Sequence, residues 1–402
     1  VANLVLALAS FRDAGSVVAL SKSAVFHHQY SSVFKAIAGL AKDGRELKRV
    51  RKLFQAQWLE SFPARLVHYF QTAVVNIFRP HSPCLKGRQY RHKANNVIAG
   101  NKPLGIGYPL SLVNRADFES RWSLSFSLER VQEQEDEVEV AARQIKAICE
   151  SERFAKSLNV NAADSTYEVA KYIAKVNTIS KLVSVLRIRH GNKVWTGERR
   201  ATGGAERIYG AEYHLIEESG WHEYRKKEKI YRKYLTSMYE KEADEYKELE
   251  RVTRRGKRLK IELRRWSGMK MRSKGGNSMK EVEFELSGIR VLEQSGGKRV
   301  FKHDVLVAVV GEERTKLSLA EVAEVFYHRF DLEVGNRFMK QNLFLESYQT
   351  PDVQHLDNWH LLVQEAMWLL WAASAEVENI CEKWQQYSEP KEAKGVRKPL
   401  RK

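Results

Sequence analysis

From Trp122 to Leu128 the chain alternates apolar and polar residues without a break, Trp-Ser-Leu-Ser-Phe-Ser-Leu. A period of two is the mark of a β-strand, so this stretch commits the protein to a sheet. It has neighbours of the same texture. "RLVHYFQTAVVNIF", just after Pro63, is rich in β-branched and aromatic residues over a length suited to one or two strands, and "PLGIGYPLSLV" reads as another. "EDEVEVAARQIKAICESERFAKSL" is a helix by its spacing, with acids at its start, where the positive end of the helix dipole favours them. A short run into "NAADSTYEVAKYIA" follows, then the strand "KLVSVLRIR", Lys181 to Arg189.

Three strands, a helix, then an acid beside a further strand is the element order of an RNase H-like core. The expected fold class is α/β, an RNase H-like core interrupted by an insertion domain, with a helical N-terminal DNA-binding domain. Residues 1–64 form the helical part, in which apolar residues recur at three and four and "RELKRVRKLFQAQWLESF" is a basic amphipathic helix. Its cationic faces are either solvated surface around a bundle or a DNA contact. Residues 65–190 are the first part of the core, 191–297 a basic insertion, 298–350 the second part of the core, and 351–402 a C-terminal helical region with a disordered basic tail. Within the insertion, Trp221 to Trp266 interleaves Tyr and Trp with Lys and Arg. That pattern suits stacking on bases and neutralising phosphates, and equally a charged helical hairpin whose tyrosines pack inward. "LSLAEVAEVFYHRFDLEVGNRFMKQNLFL" is a long helix with Ser318 and Glu321 spaced as a capping box, and "LDNWHLLVQEAMWLLWAASAEV" is a buried one.

With 68 Lys and Arg against 50 Asp and Glu, a formal charge of +18, an extended polyanion is the favoured partner. Nucleic acid leads; such a charge also suits an acidic membrane surface, or serves solubility alone. Cys84, Cys149 and Cys381 are isolated and odd in number, which argues against a disulfide framework or a cysteine zinc site and for a reducing cytoplasm. "VANLVLALAS" and "MWLLWAASA" are too short to span a bilayer, so no membrane segment is expected. His27 and His28, and His81 with His92, lack partners at metal-ligand spacing. "GNKPLGIG" has no following Lys-Ser/Thr and reads as a turn between strands. Trp195, Trp221 and Trp266 are packing residues or base contacts.

The most informative run is "YHRFDLEVGNRFMK", Tyr327 to Lys340. On a helix Arg329, Glu333, Arg337 and Lys340 share one face. One account is a salt-bridged surface stripe. The other is a carboxylate that ligates a divalent cation while the basic residues hold the phosphates of a strand brought to it. The run resembles the Y-R-E-K signature of DDE transposases of bacterial insertion sequences: Tyr, two residues, Arg, three residues, Glu, six residues, Lys. Tyr327, Arg329, Glu333 and Lys340 fit it except that only His328 separates Tyr from Arg. "LKGRQYRHKANNVIAGNKPLGIGYPLSLV", "RWSLSFSLERV" and "AADSTYEVAKYI" with "LVSVLRIRHGNKVW" are similar to the family's segments around its first and second acids. The likeness runs in order from about Arg65 to Leu345.

By this resemblance Asp164 is the second catalytic acid and Glu333 the third, and the position of the first is Ala73, in mid-strand. No Asp or Glu lies between Pro63 and Asp117 to take its place, so the first acid is replaced, naturally or by design. The resemblance implies two Mg²⁺ ions, with Mn²⁺ able to substitute, held among three carboxylates. Water would cut at the transposon end and the freed 3′-hydroxyl would attack target DNA. Arg329, Arg337 and Lys340 would clamp phosphates and Tyr327 would contact the same backbone. It further implies double-stranded DNA partners, the terminal inverted repeats and the target, a homodimer when two ends are paired, and a location at the bacterial nucleoid. With Asp164 and Glu333 alone, metal is held poorly, so DNA binding with weak or absent cleavage is expected. The alternative is a transposase-derived DNA-binding protein in which the carboxylates have no role.

Overall fold

The computed structural model describes residues 1–11, 14–61, 65–82, 84–92, 104–164, 169–197, 209–226, 229–253, 256–272, 282–374 and 376. In chain order the helices are α1 (Ala2–Ser10), α2 (Ser31–Ala38), α3 (Gly44–Glu60), α4 (Glu137–Cys149), α5 (Val169–Val176), α6 (Leu319–Asn342) and α7 (Val353–Ala373). The strands are β1 (Val67–Phe78), β2 (Gln89–His92), β3 (Leu104–Asp117), β4 (Trp122–Arg130), β5 (Leu158–Ala163), β6 (Leu182–Ile188), β7 (Lys193–Thr196), β8 (Glu212–His214), β9 (Gly220–Lys226), β10 (Lys229–Leu235), β11 (Glu245–Val252), β12 (Arg258–Lys270), β13 (Phe284–Glu293) and β14 (Val305–Val310). The fold is mixed α/β. It divides into two compact units: residues 1–144 with 328–402, and residues 145–327.

In the first unit β3 is the central strand. β1 runs antiparallel along one edge, with Ala73 opposite Leu112, and β4 along the other, with Leu128 opposite the same Leu112. The first residues of β3 pair with β2. This corrects the reading of "GNKPLGIG" as a turn, since Leu104 to Gly107 lie in the strand itself. A Cβ on Gly107 would sit 2.0 Å from the Ile77 carbonyl oxygen, so the glycine serves a close backbone approach.

The alternation of β4 also acquires a different meaning. Ser123, Ser125 and Ser127 are buried like the apolar residues between them. Each hydroxyl is satisfied by an amide: Asn114 donates to Ser123 at 3.0 Å, Gln364 to Ser125 at 2.9 Å and Gln144 to Ser127 at 2.9 Å. Small hydroxyls let packed elements come close while leaving no buried polar group orphaned.

The N-terminal helices share this unit with α7. α3 starts at Asp43, whose carboxylate accepts from the Arg45 and Glu46 amides, while Glu46 reaches back to the Lys42 amide. Trp58 on α3 stacks on Trp368 of α7, ring centroids 4.9 Å apart and planes within 2°. Asn358 of α7 donates to the Ile37 carbonyl in the last turn of α2 and to the Ala41 carbonyl just beyond it. α1 buries Leu4, Val5, Ala7 and Leu8, as expected of a packed helix. Among the described residues no helix is long and apolar enough to cross a membrane.

In the second unit β5 and β6 are parallel, joined through α5, and β14, β13, β12, β7 and β8 continue antiparallel from β6. β11 pairs with β12, and β9 with β10 forms a separate two-stranded ribbon. The basic insertion is therefore built of strands where a charged helical hairpin was one expectation. Its pairs explain why: Glu245 faces Arg265, and Lys260 bonds Glu248 at 2.8 Å, so charges at alternate positions meet across strands. Trp266 is a packing residue, its indole donating to the Lys241 carbonyl at 2.9 Å against Tyr239. Trp195 is buried too. Cys149 is buried, which pushes its thiol up to about 12, and Cys84 is exposed, with neither in a disulfide; Cys381 and the basic tail lie outside the described residues.

Glu212 of β8 receives Lys193 and Lys233, each at 3.0 Å. Partial burial opposes its ionisation, but the two ammonium hydrogen bonds outweigh it and hold the carboxyl at about 2, below the ordinary 4.5. A depressed acid stabilises the fold above pH 4.5 and loses that contribution as pH falls toward 2. In thermal melts the parent should therefore lose more stability between about pH 5 and pH 3 than Glu212→Gln does. Equal losses would show that the cluster contributes nothing.

Candidate active-site helix

α6 carries the signature residues, and its start is the expected capping box. The Ser318 amide donates to Glu321 Oε2 at 2.8 Å and the Glu321 amide to Ser318 Oγ at 3.3 Å.

Within the first unit the helix is seated on the sheet by three contacts. Gln71 of β1 donates to the His328 carbonyl at 2.5 Å and accepts from Ser123 Oγ at 2.5 Å. A Cβ on Gly335 would meet the Ser123 carbonyl oxygen at 2.8 Å, so glycine allows the helix backbone to lie almost on β4. Lys340 Nζ reaches the Asn76 carbonyl at 3.4 Å and pairs with Glu346 at 2.5 Å.

These contacts fix what faces what. From Gln71 to Asn76 the strand advances roughly 17 Å, and from His328 to Lys340 the helix advances about 18 Å, so the two run in the same direction at matching pace. Ala73 pairs without a register break between residues 71 and 78, so its Cβ emerges on the same face as Gln71, toward α6. Two residues beyond Gln71, it comes to about the level of Leu332 and Glu333.

Glu333 is 53% exposed and pairs with Arg329 at 3.3 Å, whereas the Arg329 side chain is only 5% exposed. Arg337 is exposed on the same helix. The pair joins a buried guanidinium to a carboxylate whose outer oxygen faces solvent. His328, which shortens the spacing between Tyr and Arg, turns inward: its ring stacks on Phe118 at 4.1 Å and bonds Asp331 at 2.7 Å, and Asp331 pairs with Arg121 at 3.0 Å.

Two of the sequence-predicted residues belong to the second unit. Asp164 directly follows the last residue of β5, and Arg187 of β6 lies 3.9 Å from its Oδ1. Tyr327 lies under the Arg251 guanidinium of β11, 3.7 Å from the ring centre, and the same Arg251 bonds Glu324 at 3.2 Å. Ala73, Arg329, Glu333, Arg337 and Lys340 thus share one unit, and Asp164 and Tyr327 the other.

Arg251, Gln71 and Gly335 were not picked out from the sequence, and His328 only for the spacing it shortens. Gly335 alone carried a local signal, a glycine inside a strong helical pattern, which marks a close approach. Arg251 and Gln71 act through residues distant in the chain, as does the His328 carbonyl, while the His328 ring also bonds Asp331 three residues on.

A divalent ion of the expected kind takes oxygen donors. Glu333 offers an exposed carboxylate and Asp164 a partly buried one whose Oδ1 is shut off from solvent, while Ala73 has no oxygen on its side chain. Among the described residues no three His, Cys, Asp or Glu side chains converge. No protein-family model matches the chain, and no curated protein matches it.

The close seating is testable in isolation. Gly335→Ala adds helix propensity worth about 1 kcal/mol yet drives a methyl into the Ser123 carbonyl, and overpacking of this kind costs roughly 1–3 kcal/mol. Urea denaturation should show the variant less stable than the parent; a gain in stability would mean the helix sits farther from β4.

Proposed function

We propose that the chain is a DDE transposase of a bacterial insertion sequence, of the Y-R-E-K signature group, with the first acid of its site replaced by Ala73. The observation that carries the reading is the seating of α6 on β1, which sets Ala73 on the helix side of the strand at about the level of Glu333. An aspartate at 73 would project toward the signature carboxylate. The element order also supports it: an antiparallel group of β1, β3 and β4, then α4, then β5, α5 and β6 with β5 parallel to β6, is the order of an RNase H-like core. The surplus of positive charge suits double-stranded DNA, both terminal inverted repeats and target.

In this reading Mg²⁺, or Mn²⁺ in its place, supplies Lewis-acid activation of the attacking and leaving oxygens of a phosphodiester when bound. Asp164 and Glu333 would serve as its ligands, and with two carboxylates in place of three the chain would bind DNA and cut it weakly or not at all. Arg337, exposed on the helix, offers a planar fork to a phosphate, and Arg329, buried and paired with Glu333, would reach one only by giving up that pair. Lys340 sits as a point charge beside the end of β1. Tyr327 contacts the same DNA backbone. Pairing of two ends makes the working form a homodimer, acting in the cytoplasm at the nucleoid. The N-terminal helices serve end recognition.

The test is restoration. Duplexes carrying the inverted repeats that bracket the source gene are incubated with Mg²⁺ or Mn²⁺ and the Ala73→Asp chain. Strand cleavage at the repeat should appear at least about 100-fold above that of the unsubstituted chain, and should vanish again when Glu333→Ala or Asp164→Ala is added. If Ala73→Asp binds the ends but stays inert, and Glu333→Ala changes nothing, the active-site assignment fails. The reading that remains is then a transposase-derived binding protein, which Ala73 itself favours in the unsubstituted chain.

A further inference from the structure

The ribbon of β9 and β10 stands apart from the rest of its unit's sheet, and its two faces differ. Seven cross-strand pairs run from Lys226 with Lys229 to Gly220 with Leu235. Alternation sorts them: Trp221, Glu223 and Arg225 lie on one face with Tyr234, Arg232 and Ile230, while His222 and Tyr224 lie on the other with Lys233, Tyr231 and Lys229. On the first face Arg232 bonds Glu223 at 2.8 Å beside the edge-on pair of Trp221 and Tyr234, which leaves Arg225 as the one cation there beyond that pair. The second has a stacked Tyr224–Tyr231 pair, centroids 5.6 Å apart, set between cationic or ionisable nitrogens. No described ribbon carboxylate lies on that face; Lys233 at its base is tied to Glu212.

Large side chains are exposed on both faces, Trp221 at 70% and Ile230 at 69% on the first, Tyr224 at 49% and Tyr231 at 41% on the second. A lone two-stranded hairpin is at best marginally stable in water and ordinarily covers one face. From Trp221 to Leu235 the sequence holds six Lys or Arg and two Glu, a net charge of +4 in fifteen residues. An exposed two-stranded ribbon has the width that the major groove of B-form DNA admits. We propose that this ribbon is a duplex-DNA binding element that enters the major groove with its tyrosine face inward, Tyr224 and Tyr231 toward the base edges and Lys229 toward a phosphate. The proposal deepens the transposase reading and rests on it only for the identity of the DNA.

Fluorescence anisotropy of the full chain, at several salt concentrations, measures binding to a random-sequence 30-base-pair duplex and to a single strand of the same length. Lys229→Gln should lower the slope of log affinity against log salt by about 0.9, the signature of one lost phosphate contact. Tyr224→Ser with Tyr231→Ser should weaken duplex binding at least fivefold, and the opposite-face Glu223→Gln should not weaken it. Because loss of the stacked pair can loosen the ribbon, Tyr224→Phe with Tyr231→Phe is included; it keeps the stack, and should weaken binding less than the serine pair while leaving the salt slope unchanged. Unaltered affinity and slope in Lys229→Gln and both tyrosine variants would overturn the proposal, as would tighter binding of the single strand than of the duplex. If Ala73→Asp cleaves its ends while the ribbon variants bind duplex normally, the ribbon assignment alone falls. If the parent binds no DNA at all, the transposase reading falls with it.

Discussion

The first unit depends on a helix lying almost in contact with a strand backbone. α6 reaches β4 at Gly335 and β1 at Gln71, and both contacts converge on Ser123. A larger residue at any of the three would lift the helix, and the correspondence between position 73 and Glu333 would be lost. Gln71 is itself buried, so its amide must be matched on both ends, and it is: Ser123 on one side and the His328 carbonyl on the other. Such a contact tolerates little sliding, because a shift of one helical residue would leave the amide unpaired at a cost of about 1–3 kcal/mol.

The same seating explains why a carboxylate stands among cations on α6. Arg329 is drawn beneath the surface, where an unpaired guanidinium is expensive, and Glu333 one turn later supplies the opposite charge from the solvent side. The stripe that the spacing alone suggests is therefore half buried, with its acid outward. His328 belongs to a different layer, joined through Asp331 to Arg121 and through its ring to Phe118 and Tyr69.

Much of this was legible from local pattern. The alternation at Trp122 to Leu128, the capping box at Ser318 and the packed character of α1 and α7 each follow from spacing within a few residues, and each stands where the pattern put it. The insertion was less legible, because runs of Lys, Glu and Arg have good helix propensity, and only cross-strand pairing, a property of two segments at once, turns them into β11 and β12. Gly107 was misplaced for a related reason: a glycine that serves close approach to Ile77 looks, in sequence, like one that serves a turn. For the candidate site, the residues on α6 were readable one by one, but the contacts that seat them, through Gln71 and Ser123, join positions more than 200 residues apart.

The order of synthesis adds a last consequence. Trp58 waits for Trp368, and β1 for α6, while the whole of residues 145–327 emerges in between. The first unit therefore cannot be completed by its N-terminal part alone, because its packing draws on α6 and α7 from beyond residue 327. Until α7 has been made, the Trp58 indole lacks the ring it stacks on and the Ser125 hydroxyl lacks its amide donor.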